Sequence, residues 1–292
     1  MGQDYIIATA STCDLTREYL EEHKIPFISY SYVMDDKEYE DDCREETRQN
    51  TYRMMREGKL LTTSAINMFT YREFFEGLIN DGAKDIIFLD MTRPLSSSYK
   101  YCEEAIEELK EDFPDTTIYN VDTRCVSGGL GMLVMNVVRL YETGAPKETV
   151  LEWIEENKLR IAHRFTVDDL QWLRRGGRLS NASAVVGTLL AIKPVLYVPD
   201  EGTLVAANKV RGRKAALGTI INSVKEDLKD ASKPEFLINH ADCLDDAEYV
   251  KGKILEMYPD AIVNISGLGV VIGAHCGPGL FTIFYMTDAR RP

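Results

Sequence analysis

The chain has 292 residues, with 34 lysines and arginines against 47 aspartates and glutamates, and a formal net charge of −13. This length is long for one domain and sufficient for two. The acidic balance argues against broad nucleic-acid binding, which needs a basic face. No apolar run reaches the roughly 18 residues that a membrane-spanning helix requires.

The six cysteines are widely spaced and form no CxxC pair. We therefore expect reduced thiols rather than a disulfide framework or a zinc site. The N-terminal segment lacks the basic and long apolar regions of a secretory signal peptide, so a cytoplasmic protein is expected.

Strands and helices alternate through the first half of the chain. Repeated strand-then-helix units with short loops indicate a mostly parallel sheet with helices on both faces, in which ligands lie outside the carboxyl ends of the strands. The predicted strands are 5–8, 26–33, 85–89 and 117–121, and the predicted helices start near Leu15 or cover 45–57, 71–80, 96–112 and 128–143.

The segment Gly144-Ala145-Pro146 interrupts this pattern and predicts a domain boundary. We expect a three-layer α/β domain over 1–146 and an α+β domain with a mixed sheet over 147–292. The second half has predicted strands at 159–165, 194–199, 204–209, 236–241, 261–265, 270–274 and 280–286, and predicted helices at 147–157, after Ser180, at 213–228 and at 245–257. The turn 200–202 joins two of these strands as a hairpin.

Four clusters of small hydroxyl residues follow strands or precede helices in the first half. Helix N-termini with hydroxyls and free N–H groups can hold an anion. Serine and threonine are also the usual helix caps, so each cluster taken alone is more readily explained as a cap, and only their convergence on one sheet edge favours a shared anion site. The clusters are Ser11-Thr12, Thr62-Thr63-Ser64, Ser96-Ser97-Ser98, and Asp122-Thr123 leading to Ser127-Gly128-Gly129.

Two clusters in this acidic chain combine arginine with glycine, at 174–178 and 209–213. Arginine binds carboxylate or phosphate through two parallel hydrogen bonds, and glycine allows the backbone to approach an anion closely. These segments predict an anion site or a docking site for an acidic partner.

The segment Gly273-Ala274-His275-Cys276-Gly277-Pro278-Gly279 predicts a strand that runs into His275 and then a turn. Histidine can donate to a carboxylate and titrates near neutrality. A turn with an incidental histidine is the alternative. A catalytic thiol at Cys276 is disfavoured, because neighbours on a strand point to opposite faces.

Common catalytic motifs are absent from the sequence. There is no G-x-S-x-G elbow, no P-loop, no G-x-G-x-x-G fingerprint and no close histidine pair for a transition metal. This favours a binding protein without metal or cofactor. The remaining alternative is an enzyme for a small anionic substrate with His275 as acid or base.

Several of these segments together resemble the DegV family of bacterial fatty-acid-binding proteins. The resemblance rests on IIATASTCDL near the start, TTSAIN at 62–67, PLSSSY at 94–99, NVDTRCVSGGLG at 120–131, the long block at 165–196, KVRGRKAAL at 209–217 and GAHCGPG at 273–279.

The resemblance implies one long-chain fatty acid held between two domains, with its acyl chain in a tunnel of the N-terminal domain. It implies that Thr63, Ser64, Ser96, Arg178 and His275 bind the carboxylate. Some members present this carboxylate to a separate fatty acid kinase, and Arg211 is then a candidate for kinase docking. Four residues depart from the family pattern near the expected site: Ala10, Ala65, Arg93 and Pro94.

Overall fold

The computed structural model describes residues 4–179, 192–229 and 231–291. Its strands are β1 (Tyr5–Ala10), β2 (Phe27–Ile28), β3 (Ser31–Met34), β4 (Lys37–Glu40), β5 (Leu61–Thr63), β6 (Asp85–Asp90), β7 (Thr117–Asp122), β8 (Ile161–Thr166), β9 (Ile192–Tyr197), β10 (Val205–Arg211), β11 (Glu235–His240), β12 (Ile262–Gly267) and β13 (Phe281–Met286). Its α-helices are α1 (Arg17–Glu22), α2 (Glu45–Arg56), α3 (Met68–Asn80), α4 (Ser98–Asp112), α5 (Gly128–Glu142), α6 (Lys147–Asn157), α7 (Leu170–Gly176), α8 (Arg213–Asp227), α9 (Leu244–Met257) and α10 (Val270–Cys276). The helix expected after Ser180 lies outside the described residues.

The first half folds around a parallel sheet in the order β2-β1-β6-β7. Strands β1 and β6 are buried along nearly their whole length, as expected for parallel strands covered on both faces. A small antiparallel sheet, β4-β3-β5, extends this half toward the second. The prediction of a mostly parallel first sheet is confirmed.

The second half contains a mixed sheet in the order β10-β9-β8-β13-β11-β12. Only β11 and β12 pair in parallel among its described strands; the other pairs are antiparallel. Helices α8 and α9 cover one face through an apolar cluster that includes Ile220, Val250, Phe236 and Ile283. The other face looks toward the first half, through contacts of β8, β11 and β13 with α5.

Helix α5 lies between the two sheets, in contact with β1 and β6 of the first and with β8, β11 and β13 of the second. Its residues from Gly128 to Met135 are all buried, which fits a helix that is apolar around most of its circumference. Gly129 has no alternative here, because a Cβ would lie 2.1 Å from Nε2 of His163. Glycine thus lets the helix start directly against the second sheet.

Two predicted elements are wrong. The single strand at 26–33 is two strands in different sheets, because the chain turns at Tyr30, whose N–H donates to Ser11 Oγ at 3.1 Å. The predicted strand at 270–274 is helix α10. Its β-branched residues favour a strand, but packing against α7 and α2 overrides that local preference.

Candidate functional site

A cavity lies between the two halves, with an empty volume of about 840 Å³ including its opening. Most of its apolar wall comes from the second half, including Phe165, Leu173, Val198, Leu204, Leu280 and Phe284, while the first half adds Met91, Leu95 and Val126.

The strand alternation of the mixed sheet builds this wall. Thr282 and Phe284 of β13 line the cavity, whereas Phe281, Ile283 and Tyr285 join the apolar cluster on the opposite face. Side chains on a strand point alternately to opposite faces. One strand therefore supplies both the cavity and the core beneath α8 and α9.

All five residues expected to bind a carboxylate line this one cavity: Thr63, Ser64, Ser96, Arg178 and His275. They come from the end of β5, the start of α4, the segment after α7 and the end of α10. Thr63 Oγ1 and His275 Nε2 are 2.8 Å apart. Ser64 and Arg178 are exposed, so the polar end of the cavity is its mouth.

Hydrogen bonds hold the two serine segments of the mouth together. The Ser96 hydroxyl donates to Ser98 Oγ at 3.0 Å, and Ser98 Oγ also accepts from the Ile66 N–H at 3.1 Å. The Tyr30 hydroxyl lies 3.3 Å from Ser96 Oγ. Ser98 and Tyr30 were not among the predicted site residues; the triple-serine run is the only sequence signal that points to Ser98.

Electrostatics at the mouth favour an anion. Burial and the nearby Arg178 guanidinium lower the pKa of His275 to about 4, so its imidazole is neutral at pH 7. The Arg178 side chain is oriented by donating from Nε to the Leu95 carbonyl at 3.2 Å and from Nη1 to the Gly176 carbonyl at 2.7 Å. One guanidinium, several hydroxyls and a neutral imidazole can together bind a single carboxylate.

A second histidine, His163, lines the same cavity, although sequence reasoning gave it no role. Its Nε2 accepts from the Val126 N–H at 3.2 Å, so its Nδ1 carries the proton and donates to the Ile161 carbonyl at 3.0 Å. Burial lowers its pKa well below the usual value. His163 is therefore a neutral structural residue in this arrangement.

Three of the four hydroxyl clusters reach the cavity, through Thr63 and Ser64, Ser96 and Ser97, and Ser127. Ser97 and Ser127 precede helices, yet neither side chain makes a capping hydrogen bond. The fourth cluster is apart from the cavity lining, in a 3-10 helix at Ser11–Cys13. Three separate hydroxyl clusters therefore meet at one cavity, and helix capping does not account for the side chains of Ser97 and Ser127.

The departures from the family pattern leave Ser96 in place. Arg93 forms an ion pair with Glu103 at 2.7 Å and lies over the Tyr99 ring, so it is directed toward α4. Pro94 lies inside a 3-10 helix, and Ala65 lines the mouth. Ala10 is a buried core residue at the end of β1.

The remaining candidates lie as follows. Arg211 ends β10 and is exposed, and it is not among the residues that line the cavity. Cys276 is buried, and burial raises the pKa of its thiol to about 12, which keeps it protonated at pH 7 and unsuited to nucleophilic attack. All six cysteines are free thiols. Over the described parts of the chain, every helix is too short or too polar to cross a membrane.

A cavity with an apolar wall and a cationic, hydroxyl-rich mouth, held between a parallel and a mixed sheet, is the arrangement typical of small-molecule-binding proteins. The family model described as "Uncharacterised protein, DegV family" matches residues 5–288. The chain belongs to the DegV family.

Similar proteins include a DegV domain-containing protein of Clostridium perfringens, which is 36% identical over 289 residues and covers 99% of both chains. A DegV lipid-binding protein of Thermotoga maritima has a similar structure, with a TM-score of 0.87, 26% identity and full coverage of both chains. DegV of Bacillus subtilis, described as a fatty acid binding protein, has a TM-score of 0.85 and 26% identity, covering 98% of this chain and 100% of its own.

Proposed function

We propose that this protein binds a long-chain fatty acid in the cavity between its halves. The proposal rests on one observation: a mostly apolar cavity opens at a mouth that is lined by Arg178, His275 and three hydroxyl residues. Similar structures described as lipid- or fatty-acid-binding support this ligand class. The two halves correspond to domains at 1–146 and 147–292.

In this arrangement Thr63, Ser64, Ser96, Arg178 and His275 hold the carboxylate. A carboxylate that moves from bulk water to the mouth of the cavity loses part of its solvation, and a cation and hydroxyl donors compensate for that loss. The acyl chain lies against the apolar wall, where each buried methylene contributes about 0.8 kcal/mol. The apolar wall belongs mostly to the second half, which supports an acyl chain that lies between the domains.

The ligand carboxylate is then presented to a separate fatty acid kinase. Support comes from the exposed position of Ser64 and Arg178, which puts the carboxylate at the accessible end of the cavity. A partner protein could reach it there, and Arg211 is the candidate contact. The chain itself needs no nucleophile in this scheme.

Mass spectrometry of an organic extract tests the ligand directly. Protein purified without added lipid should release long-chain fatty acid, and stripped protein should gain thermal stability when hexadecanoate is added, because a ligand stabilises the state that it binds. Arg178→Met and His275→Ala should each weaken hexadecanoate binding about tenfold or more, whereas Arg174→Met, in the same segment, should leave it unchanged. Absence of both extracted lipid and thermal shift would contradict the proposal.

A reconstitution tests the kinase step. The loaded protein is incubated with ATP and a purified bacterial fatty acid kinase, and acyl phosphate is trapped with hydroxylamine. Arg211→Met should bind hexadecanoate normally but support less acyl phosphate formation. Turnover of an anionic substrate by this protein alone, lost in His275→Ala, would instead identify an enzyme.

A further inference from the structure

Side chains on one face of helix α2 form hydrogen bonds with the turn that leads into α10. Glu45, Arg48 and Tyr52 are three and four residues apart, so their side chains lie on one side of the helix. Glu45 Oε2 accepts from the Gly267 N–H at 3.1 Å, and Arg48 Nη1 donates to the Gly267 carbonyl at 2.8 Å. A helix of the first half thereby holds the backbone of the second.

Tyr52 contributes hydrogen bonds to the next two residues, Leu268 and Gly269. Its hydroxyl lies 3.1 Å from the carbonyls of both Leu268 and Gly269, which share its one proton. Burial raises the pKa of Tyr52 well above the usual value, so the hydroxyl remains a donor. A Cβ at Gly273 would lie 2.0 Å from the Tyr52 hydroxyl oxygen, so the phenol packs directly on α10.

Helix α10 carries His275 two residues after Gly273, at the mouth of the cavity. The helix has only seven residues, so its direction follows from what holds its ends. At its start the backbone is held by α2, and near its end His275 Nε2 meets Thr63 Oγ1 at 2.8 Å. A shift of the turn would therefore move the imidazole away from Thr63.

Arg48 is itself held on the first half. Its Nη2 donates to the Leu15 carbonyl at 2.8 Å, and only 1% of the residue is exposed. The carboxyl of Asp14 also packs against the turn before α10, because a Cβ at Gly269 would be 2.0 Å from Asp14 Oδ1. Arg48 is therefore buried and hydrogen-bonded to both halves.

We propose that Glu45, Arg48 and Tyr52 are positioning residues, which place His275 for the ligand carboxylate through the backbone of 267–269. This inference rests on the proposed function for its ligand, and it adds residues outside the cavity lining to the recognition of the carboxylate. Tyr52 is the most informative member, because Tyr52→Phe removes only the hydroxyl and preserves the buried ring.

Calorimetric titration of stripped protein with hexadecanoate and with hexadecan-1-ol separates head-group recognition from chain binding. Tyr52→Phe should weaken hexadecanoate binding about five- to tenfold, the scale of one hydrogen bond. Affinity for the alcohol should be unchanged, since it carries no carboxylate. In the His275→Ala background the Tyr52→Phe substitution should add nothing, because the two act through one group.

Tyr258→Phe is the matched control. The Tyr258 hydroxyl donates to the Leu228 carbonyl at 3.1 Å, and the residue packs against the apolar cluster below α8 and α9, away from the cavity. Its removal should reduce thermal stability and leave both affinities unchanged. If Tyr52→Phe only lowered the stability of the fold, it would behave like Tyr258→Phe, and its hexadecanoate affinity would be unchanged.

Three results would overturn the inference: unchanged hexadecanoate affinity in Tyr52→Phe, equal losses for both ligands, or full additivity with His275→Ala. If His275→Ala itself binds hexadecanoate normally, the carboxylate assignment under the proposed function fails instead. The ¹⁵N signals of the His275 ring in lipid-free protein then decide positioning alone: Tyr52→Phe should shift them and Tyr258→Phe should not. Unchanged ring signals in Tyr52→Phe would overturn the inference.

Discussion

At the residue scale, two histidines in one cavity behave differently because of their neighbours. His163 has both ring nitrogens engaged with backbone groups, and its role is limited to holding the wall. His275 instead faces a threonine hydroxyl and lies near a guanidinium, among the groups at the mouth of the cavity. The sequence placed His275 in a distinctive glycine-rich segment but offered no comparable signal for His163.

The pKa of His275 predicts how acid affects the lipid-free protein. Its folded-state pKa is about 4, whereas the unfolded value is about 6.5. Between these values the unfolded chain binds a proton that the folded chain does not. The stability contribution is therefore present above about pH 6.5 and lost as the pH falls toward 4.

His275→Gln should remove this loss. The free energy of unfolding in urea is measured at pH 7 and at pH 4.5. Between these two pH values it should fall by on the order of 2 kcal/mol more in wild type than in the variant. Asp14 and Asp90 titrate in the opposite sense, because burial raises the pKa of each to about 7 and their contribution is lost as the pH rises. Comparing variant with wild type cancels these groups; equal losses would contradict the prediction.

At the element scale, α5 shows how a helix can serve two sheets. Its first residues are glycines that meet side chains of β8, β11 and β13, and Gly131 faces the Cys13 carbonyl oxygen, with a Cβ there only 2.5 Å away. Small residues allow this approach, since any side chain would push the helix from one sheet or the other. The glycine pattern looked like an anion-binding helix start, but close packing is what requires it.

Gly129→Ala should destabilise the protein by about 3 kcal/mol, because the added methyl would overlap His163. Gly218→Ala is the matched control: it lies within α8 with open space around it, so alanine should stabilise by up to about 1 kcal/mol. Urea unfolding measures both. Equal effects in the two variants would show that the contact with His163 is not limiting.

At the scale of the whole molecule, the halves meet on both sides of the cavity. On one side α2 holds the turn before α10. On the other, Thr92 Oγ1 donates to the Gly202 carbonyl and Arg124 Nη1 donates to the Glu201 carbonyl, each at 3.0 Å. The turn at 200–202 was predicted as a hairpin, and β9 and β10 do pair antiparallel; its docking on the first half was not predicted.

Gly202→Ala should disturb this second contact. Its φ of +77° strains any residue with a Cβ, and the Cβ would lie 1.9 Å from Thr92 Oγ1. Gly82→Ala has similar strain at φ +103° but open space, so it isolates the cost of the conformation, about 1 kcal/mol. Gly202→Ala should lose at least about 1 kcal/mol more and bind hexadecanoate more weakly, as thermal unfolding and calorimetry would show. If Gly202→Ala and Gly82→Ala lost the same stability, and Gly202→Ala bound hexadecanoate as wild type does, the contact with Thr92 would have no role in stability or binding.

Much of the fold follows from local sequence. Continuous apolar runs such as Ile86 to Leu89 identify buried strands, and apolar residues at helical spacing identify α3 and α4, because burial repeats with the period of the element. The weakest predictions were at short segments. Residues 270–274 have strand-forming side chains, and only packing against α2 and α7 makes them a helix.

The sequence by itself determined the kinds of groups at the mouth of the cavity: hydroxyls after strands, arginine beside glycine, and a histidine before a glycine-rich turn. Each is a local pattern with a local physical reason. Tertiary structure decided that Thr63, Ser96, Arg178 and His275 share one cavity, that most of its apolar wall belongs to the second half, and that Tyr52 lies beneath α10. The contact between Tyr52 and Gly269 alone joins residues 217 positions apart, and no periodicity or spacing along the chain encodes such contacts.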